Sequence, residues 1–449
     1  MASTKLTRTP STTTTVDAWT FSVWLKRSST GTSHDICSGR NNTDGGNNQS
    51  TFSFDANDNL YFDVYNGGSI VVKFITNRKF RDLNFWYHIV LDFDSSTAGA
   101  RSAADRMKVW VNGIRETSFS TEVQSGADQE TNFCQQNDCP IAIGANAGLR
   151  TATYNGLMSH INYVAGVGYP ASYFGETDAT TGIWKPKGFS GSYGTNGFFL
   201  KFENSGSMGT DSSSNGNNFT VNGTPTQTVD TPTNVFATLN PLLDVYAVGT
   251  YSNGNLGLTG TGSTNFGGCS MPVSKGKWYV EVKATTVNGS YPIIGVIDAQ
   301  SSKRRDDTYF VGADIDTNNP SGFAVFSNGD IYHNNSSSYG NLTTTYTSGD
   351  IIGMALDMDS ATKTLAFYKN GTLETTINLD EPPSGSYIFC TAIYATASSA
   401  KTDWNFGNGY FGTSAVSSAT SDESGLGIFE HTVPSGYNCL CTKNINTYG

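Results

Sequence analysis

Apolar side chains recur at every second position through most of this chain, a period that suits strands and not helices. Trp19, Phe21, Val23 and Leu25 alternate with Thr20, Ser22, Trp24 and Lys26. Leu60, Phe62 and Val64 repeat the pattern, then Ile89, Leu91 and Phe93, then Met107, Val109 and Val111. In the second half it returns at Trp278, Val280 and Val282, and at Ile352, Met354, Leu356 and Met358. Several runs close in Asn-Gly, at Asn112-Gly113, Asn328-Gly329 and Asn370-Gly371, a pair that tolerates positive φ and favours a tight hairpin. No window carries a convincing 3.6-residue period, and one short helix fits within 170–178. The fold class is all-β.

Composition sharpens this reading. With 449 residues the chain exceeds one ordinary core, since single cores stop growing near ~250–300 residues. Charged residues make up 14%, well under the roughly 25% of an average globular protein. The 26 Phe, 22 Tyr and 7 Trp exclude disorder. A net charge of −11 argues against a nucleic-acid partner. No apolar run approaches the ~18 residues of a membrane span, and Met1-Ala2-Ser3-Thr4-Lys5 lacks a signal-peptide core. The expectation is a soluble chain made in a cytoplasm. Seven cysteines, an odd number, do not make a disulfide framework. Cys134 and Cys139 are placed to close a small loop. Cys439 and Cys441 have no histidines at zinc spacing.

The chain reads as two related halves. Leu91-Asp92-Phe93-Asp94-Ser95 leads to Val109-Trp110-Val111-Asn112-Gly113, and Leu356-Asp357-Met358-Asp359-Ser360 leads to Phe367-Tyr368-Lys369-Asn370-Gly371. Each is a strand, a turn opened by Asp and Ser, a second strand and an Asn-Gly hairpin. Between the halves lies a polar stretch with Pro225 and Pro232. The expected division is a first domain over 1–222, a linker over 223–245 and a second domain over 246–449.

Catalytic patterns are missing. Glycoside hydrolysis needs two carboxylates about 5–10 Å apart across a cleft, and no Glu-x-Asp-x-x-Glu run occurs. Asp92/Asp94, Asp314/Asp316 and Asp357/Asp359 each place two acids on one strand face, and two of the three sit at a strand–turn boundary, where Asp caps turns. Asp314 and Asp316 are also candidate calcium ligands, with hard oxygens at alternate positions; no other cofactor is indicated. The five histidines have no acid or nucleophile at motif spacing, and Gly-x-Ser-x-Gly is absent. Two polar segments suit glycan binding: Tyr332, His333, Asn335 and Tyr339 in one, Arg40 and Asn42 in the other. Polar loops of a weakly charged β protein have the same look. Trp24 and Trp110 fall on the non-core register, as cover for a second sheet or a subunit interface.

At these residues the chain resembles known modules. Trp19 to Ser28, Trp86-Tyr87-His88-Ile89-Val90 and Tyr154-Asn155-Gly156-Leu157-Met158 are similar to concanavalin A-like, laminin-G-type jelly rolls. Gly276 to Val282, Gly322-Phe323-Ala324 and Gly349 to Asp357 resemble a SPRY domain, itself a concanavalin A-like sandwich. The order of the two, with the junction Asp211 to Asn222 and the closing run Phe429 to Thr442, resembles virion proteins of aquatic tailed bacteriophages. That resemblance implies two tandem sandwiches in a non-enzymatic fibre or adhesin-type virion protein. Such a protein would be made in the host bacterial cytoplasm, attach to a host-surface glycan and assemble with other virion proteins as a homo-oligomer, with a trimer as the prior. A structural head-decoration or tail-collar part is the alternative, and a polysaccharide depolymerase the second alternative. The jelly roll starts near Trp19 with no heptad or collagen-like shaft before it. Docking through the compact domains or the first eighteen residues is expected.

Overall fold

The structure, a computed structural model, describes residues 4–14, 17–148, 152–243, 249–260, 264–287, 291–301, 322–334, 336–394 and 399–449. The chain divides into two compact units, Met1–Gln227 and Thr228–Gly449. Each is built on a pair of packed, mainly antiparallel sheets, and helix is confined to short turns and Thr442–Tyr448 among the described residues.

In the first unit a six-stranded sheet runs Phe198–Leu200, Gly156–Ala165, Ala18–Arg27, Tyr87–Asp94, Met107–Val111, Ile114–Glu116. It faces an eight-stranded sheet built around Asn59–Asn66, Gln49–Phe54 and His34–Arg40. The period-two residues fill the space between them: Trp19, Phe21, Val23, Ile89, Leu91 and Phe93 are fully buried beside Phe52, Phe62 and Phe133. Trp19 stacks on Phe93 at 5.3 Å and meets Phe133 at 4.8 Å. Such pairs add directional energy to area burial.

Every residue of Ala18–Arg27 is buried, including the polar positions of the alternation. The reason is a second layer. Val90 and Val164, on the outer face, pack with Ala171, Phe174, Trp110, Tyr169, Trp184, Phe189 and Tyr193. Residues 169–193 therefore form a strap across the sheet. Trp110 packs against this segment of the same chain, and Trp24 is buried and stacks on His88. The short helix expected within 170–178 is a single 3₁₀ turn, Ala171–Tyr173, inside the strap.

The second unit repeats the plan. Lys277–Thr286, Ile351–Asp357, Lys363–Lys369 and Thr372–Leu379 are consecutive neighbours in one sheet. The facing sheet carries Tyr291–Asp298 and Tyr387–Tyr394. Trp278, Val280 and Val282 point into the core by alternation, and Tyr279 points out. On that outer side Tyr279, Ala355 and Ala366 pack under Phe429, Val433, Cys439 and Phe236, so a second strap covers this sheet. Val235, Phe236, Ala237 and Leu239 are buried within this unit, and Phe236 and Leu239 bridge to Cys441 and Cys269. This part of the expected 223–245 linker belongs to the second unit, because its apolar residues find partners there.

Candidate functional site

Tyr332 and His333 end the strand Asp330–His333, and Tyr339 lies in the paired strand Ser336–Asn341. Hairpin strands at a sheet edge, rather than a long loop, thus present them. Asn335, between the two, lies outside the described residues, as do Asp314 and Asp316. His333 is buried and lies flat on Phe323, ring centres 3.9 Å apart and planes 2° apart. Its Nδ1 faces Gly322 O at 3.0 Å and its Nε2 faces Asp380 Oδ2 at 3.2 Å. Both nitrogens are engaged internally, so the ring positions its neighbours instead of meeting solvent. Tyr339 stands beside it at 4.9 Å, is 37% exposed, and its hydroxyl donates to Asn378 O at 2.8 Å. The Asp380 carboxylate remains half open. Tyr332 is half-buried and packs on Phe326 at 4.3 Å. The hairpin thus offers one braced ring, Tyr339, near the exposed carboxylate of Asp380.

The other segment closes on itself. Asp44 accepts the backbone N–H groups of Gly46, Asn47 and Asn48 and the Asn48 amide. Although desolvation opposes it, those donors together hold its carboxyl below the usual range. Arg40 Nη2 donates to Gly45 O at 3.2 Å, and Asn41 Nδ2 reaches Asp138 at 2.7 Å. Asn42 is exposed. The two segments belong to different units.

The acidic pairs are occupied. Arg101 binds Asp92 at 2.6 Å and reaches Asp94 at 3.7 Å. Asp357 accepts from Lys277 at 2.9 Å and caps the turn at Asp359 and Ser360. Although burial opposes it, those donors hold Asp357 down at about 2. Among the described residues no group of three His, Cys, Asp or Glu is placed to hold a metal. No described helix is long and apolar enough to cross a membrane.

Residues 2–164 match the family described as the concanavalin A-like lectin/glucanases superfamily, of the laminin-G type. Residues 277–408 match the SPRY domain. The chain carries a laminin-G-type domain followed by a SPRY domain. The SPRY domain of human HERC1 is similar at 21% identity, covering 37% of this chain and 96% of that one, with a TM-score of 0.28. A human SPRY domain is similar at 19% identity, covering 33% and 90%, TM-score 0.26. A heptameric SAP-like pentraxin from Limulus polyphemus shares 14% identity, covering 37% and 72%, TM-score 0.28. No curated protein sequence matches the chain.

Three buried polar centres in these domains were not among the site residues read from the sequence. In the laminin-G-type domain His88 lies between Trp24, stacked at 4.6 Å, and Trp184, at 6.0 Å. Trp184 Nε1 donates to His88 Nδ1 at 2.9 Å, and His88 Nε2 meets Ser22 Oγ at 2.9 Å. Burial, with a smaller push from His160, drives the His88 pKa down to about 3. In the same domain Arg27, fully buried over the Phe54 ring, pairs with Asp58 at 3.0 Å. In the SPRY domain the buried Glu281 accepts the backbone N–H of His431 on one oxygen and of Glu430 on the other, both at 2.9 Å. Burial raises its pKa to about 7 despite these donors. The only sequence signal for any of them was a charged or titratable residue inside an apolar strand.

Proposed function

We propose that this chain is a non-enzymatic, fibre or adhesin-type virion protein of a tailed bacteriophage that binds host-surface glycan and docks on another virion protein. The observation that carries the glycan reading is Tyr339, an exposed ring braced by Asn378 and His333 with the open Asp380 carboxylate close by. An aromatic face takes the C–H side of a sugar, and a nearby carboxylate takes hydroxyls. The resemblance of the junction and closing run to phage proteins supports the virion assignment. Acting as a homo-oligomer, with a trimer expected, weak single contacts become strong by multivalency.

Fluorescently labelled protein is expected to bind susceptible cells and to be displaced by their isolated surface polysaccharide. Absence of binding, together with normal adsorption of virions lacking the protein, overturns the adhesin reading. New reducing ends after incubation with that polysaccharide overturn the non-enzymatic reading. A purely structural place on the head or collar is favoured by three exposed apolar side chains of the laminin-G-type domain, Phe85, Ile114 and Ile183. Localisation by labelled imaging of the particle distinguishes the two.

A further inference from the structure

Each ring nitrogen of His333 meets an oxygen that can only accept. Nδ1 lies 3.0 Å from Gly322 O, and Nε2 lies 3.2 Å from Asp380 Oδ2. A neutral imidazole has one N–H and one bare nitrogen, so it serves one of these oxygens and turns a lone pair on the other. A carbonyl has no proton to give. Neither has a carboxylate open to water at neutral pH, and the Asp380 side chain is 55% exposed. Only the imidazolium, with two N–H groups, satisfies both oxygens.

The surroundings suit that charge. The buried ring lies flat on Phe323 at 3.9 Å, well within cation–π range. The titratable groups around it come from three elements. Asp380 follows the strand Thr372–Leu379, Tyr339 lies in Ser336–Asn341, and Tyr387 opens Tyr387–Tyr394, touching Phe323 and donating to Asp380 O at 2.9 Å. Burial, then the charge of Asp380, raises the pKa of both tyrosines, so their hydroxyls stay neutral. Glu381 turns to Lys363 at 3.6 Å, and Asp298, within reach of Tyr387, accepts the N–H groups of Gln300 and Ser384. Among the described residues in contact with the ring, one carries negative charge and none positive. Tyr339 leans on this same imidazole and on Asn378 O, two residues before Asp380. The proton on Nε2 thus sets where the carboxylate stands relative to the exposed ring.

We propose that His333 is the proton-dependent positioning residue of the Tyr339 surface. As an imidazolium it holds the Asp380 carboxylate beside the exposed ring; as a neutral ring it turns a lone pair on that carboxylate and releases it. Sugar is accordingly held more tightly on the acid side of the imidazole range, about pH 5–8. This consequence rests on the attachment reading above, and the proton clamp stands without it.

The test follows deuterium uptake at the imidazole Cε1 in the full folded chain from about pH 5 to 8.5. The pH profile of this slow exchange bends where the ring loses its proton, and mass spectrometry reads it in a peptide holding His333 alone of the five histidines. In Asp380→Asn, whose amide donates to a bare Nε2, the bend is expected to move about half a unit or more toward acid. Parent affinity for soluble host oligosaccharide, by calorimetry, is expected to fall about two- to fivefold from about pH 5.5 to 8. His333→Gln, whose amide donates to Asp380 at every pH, is expected to give a flat profile. An unmoved bend in Asp380→Asn, or a parent that binds with the same flat profile as His333→Gln, overturns the proposal. A moved bend in a parent that binds no host oligosaccharide at any pH upholds the clamp and overturns the attachment reading.

Discussion

The indole N–H of Trp184 donates to Nδ1 of His88 across 2.9 Å, and this bond fixes the imidazole in one form. An indole nitrogen only donates, so Nδ1 must be bare and the ring proton sits on Nε2, facing Ser22 Oγ. Trp24 stacks on the other side of the ring. Trp184 itself rests on the Asn112-Gly113 hairpin; a Cβ at Gly113 would come within 2.7 Å of the indole, so the turn glycine also makes room for the strap. One neutral histidine thus ties the strap to the sheet beneath it.

Replacing Trp184 with Phe keeps the ring but strips the donor and leaves a buried acceptor unpaired. The expected loss is about 1–3 kcal/mol for the laminin-G-type domain, read by urea unfolding at neutral pH. His88 sets a pH window too. Its folded pKa of about 3 lies below the ordinary 6.5, so the unfolded chain binds the proton first as pH falls. The stability it contributes is complete above about pH 6.5 and declines from there toward pH 3. A His88→Gln variant is expected to flatten that part of the stability profile.

Glu281 reverses the sign. Its folded pKa of about 7 lies above the ordinary 4.5, so the folded state holds the proton longer. Stability is greatest below about pH 4.5 and falls as pH rises toward 7, by about 3 kcal/mol in all. Both oxygens accept backbone N–H groups from residues 430 and 431, and a hydroxyl oxygen can still accept. A Gln at this position must turn its NH₂ against one of them. Glu281→Gln is therefore expected to lower the melting temperature of the SPRY domain, most at acid pH, with the difference narrowing by pH 8.

The inward half of each sheet was legible because a strand buried on one side writes its core at every second residue. The hairpin turns at Asn112-Gly113 and Asn370-Gly371 were legible as well. Asn112 and Asn370 take φ of 49° and 47°, and their side-chain oxygens accept the N–H of His88 and Ile351 at 2.7 and 2.8 Å. Asn328-Gly329 differs, with positive φ at Gly329 alone of the two. The outward half was not legible, since the straps carry no period and Trp24 and Trp110 announce a cover without naming it. His333 likewise read as a loop residue, because nothing local shows that Phe323 and Asp380 enclose it.

Arg27 illustrates the same gap and gives a strong stability test. It closes a strand where a charge normally marks the exit to solvent, yet it is fully buried, and Asp58 lies in a turn far along the chain. Arg81 adds a second cation to the same carboxylate at 2.9 Å. Removing one partner of a buried pair costs about 3–5 kcal/mol. Asp58→Asn is expected to fall in that range by chemical denaturation. Arg81→Ala, exposed at the rim, is expected to cost less than about 1 kcal/mol.

Tyr339 tests the binding reading. Its ring is 37% exposed, packs on His333 and Phe323 and donates to Asn378 O, so Tyr339→Ala removes buried ring area along with the exposed face. Unfolding of the SPRY domain is expected to shift by about 1–3 kcal/mol, and binding is measured where the variant is fully folded. If this ring is the sugar platform, per-site affinity for the host polysaccharide falls by about tenfold or more, since each 1.4 kcal/mol of lost contact is a factor of ten. Tyr339→Phe keeps the face and loses only the brace, so it is expected to retain most of the binding. Affinity measured on the oligomer overstates the residual binding through avidity, so the comparison is made with soluble oligosaccharide by calorimetry. Equal affinity of folded Tyr339→Ala and the parent removes this hairpin from the attachment surface.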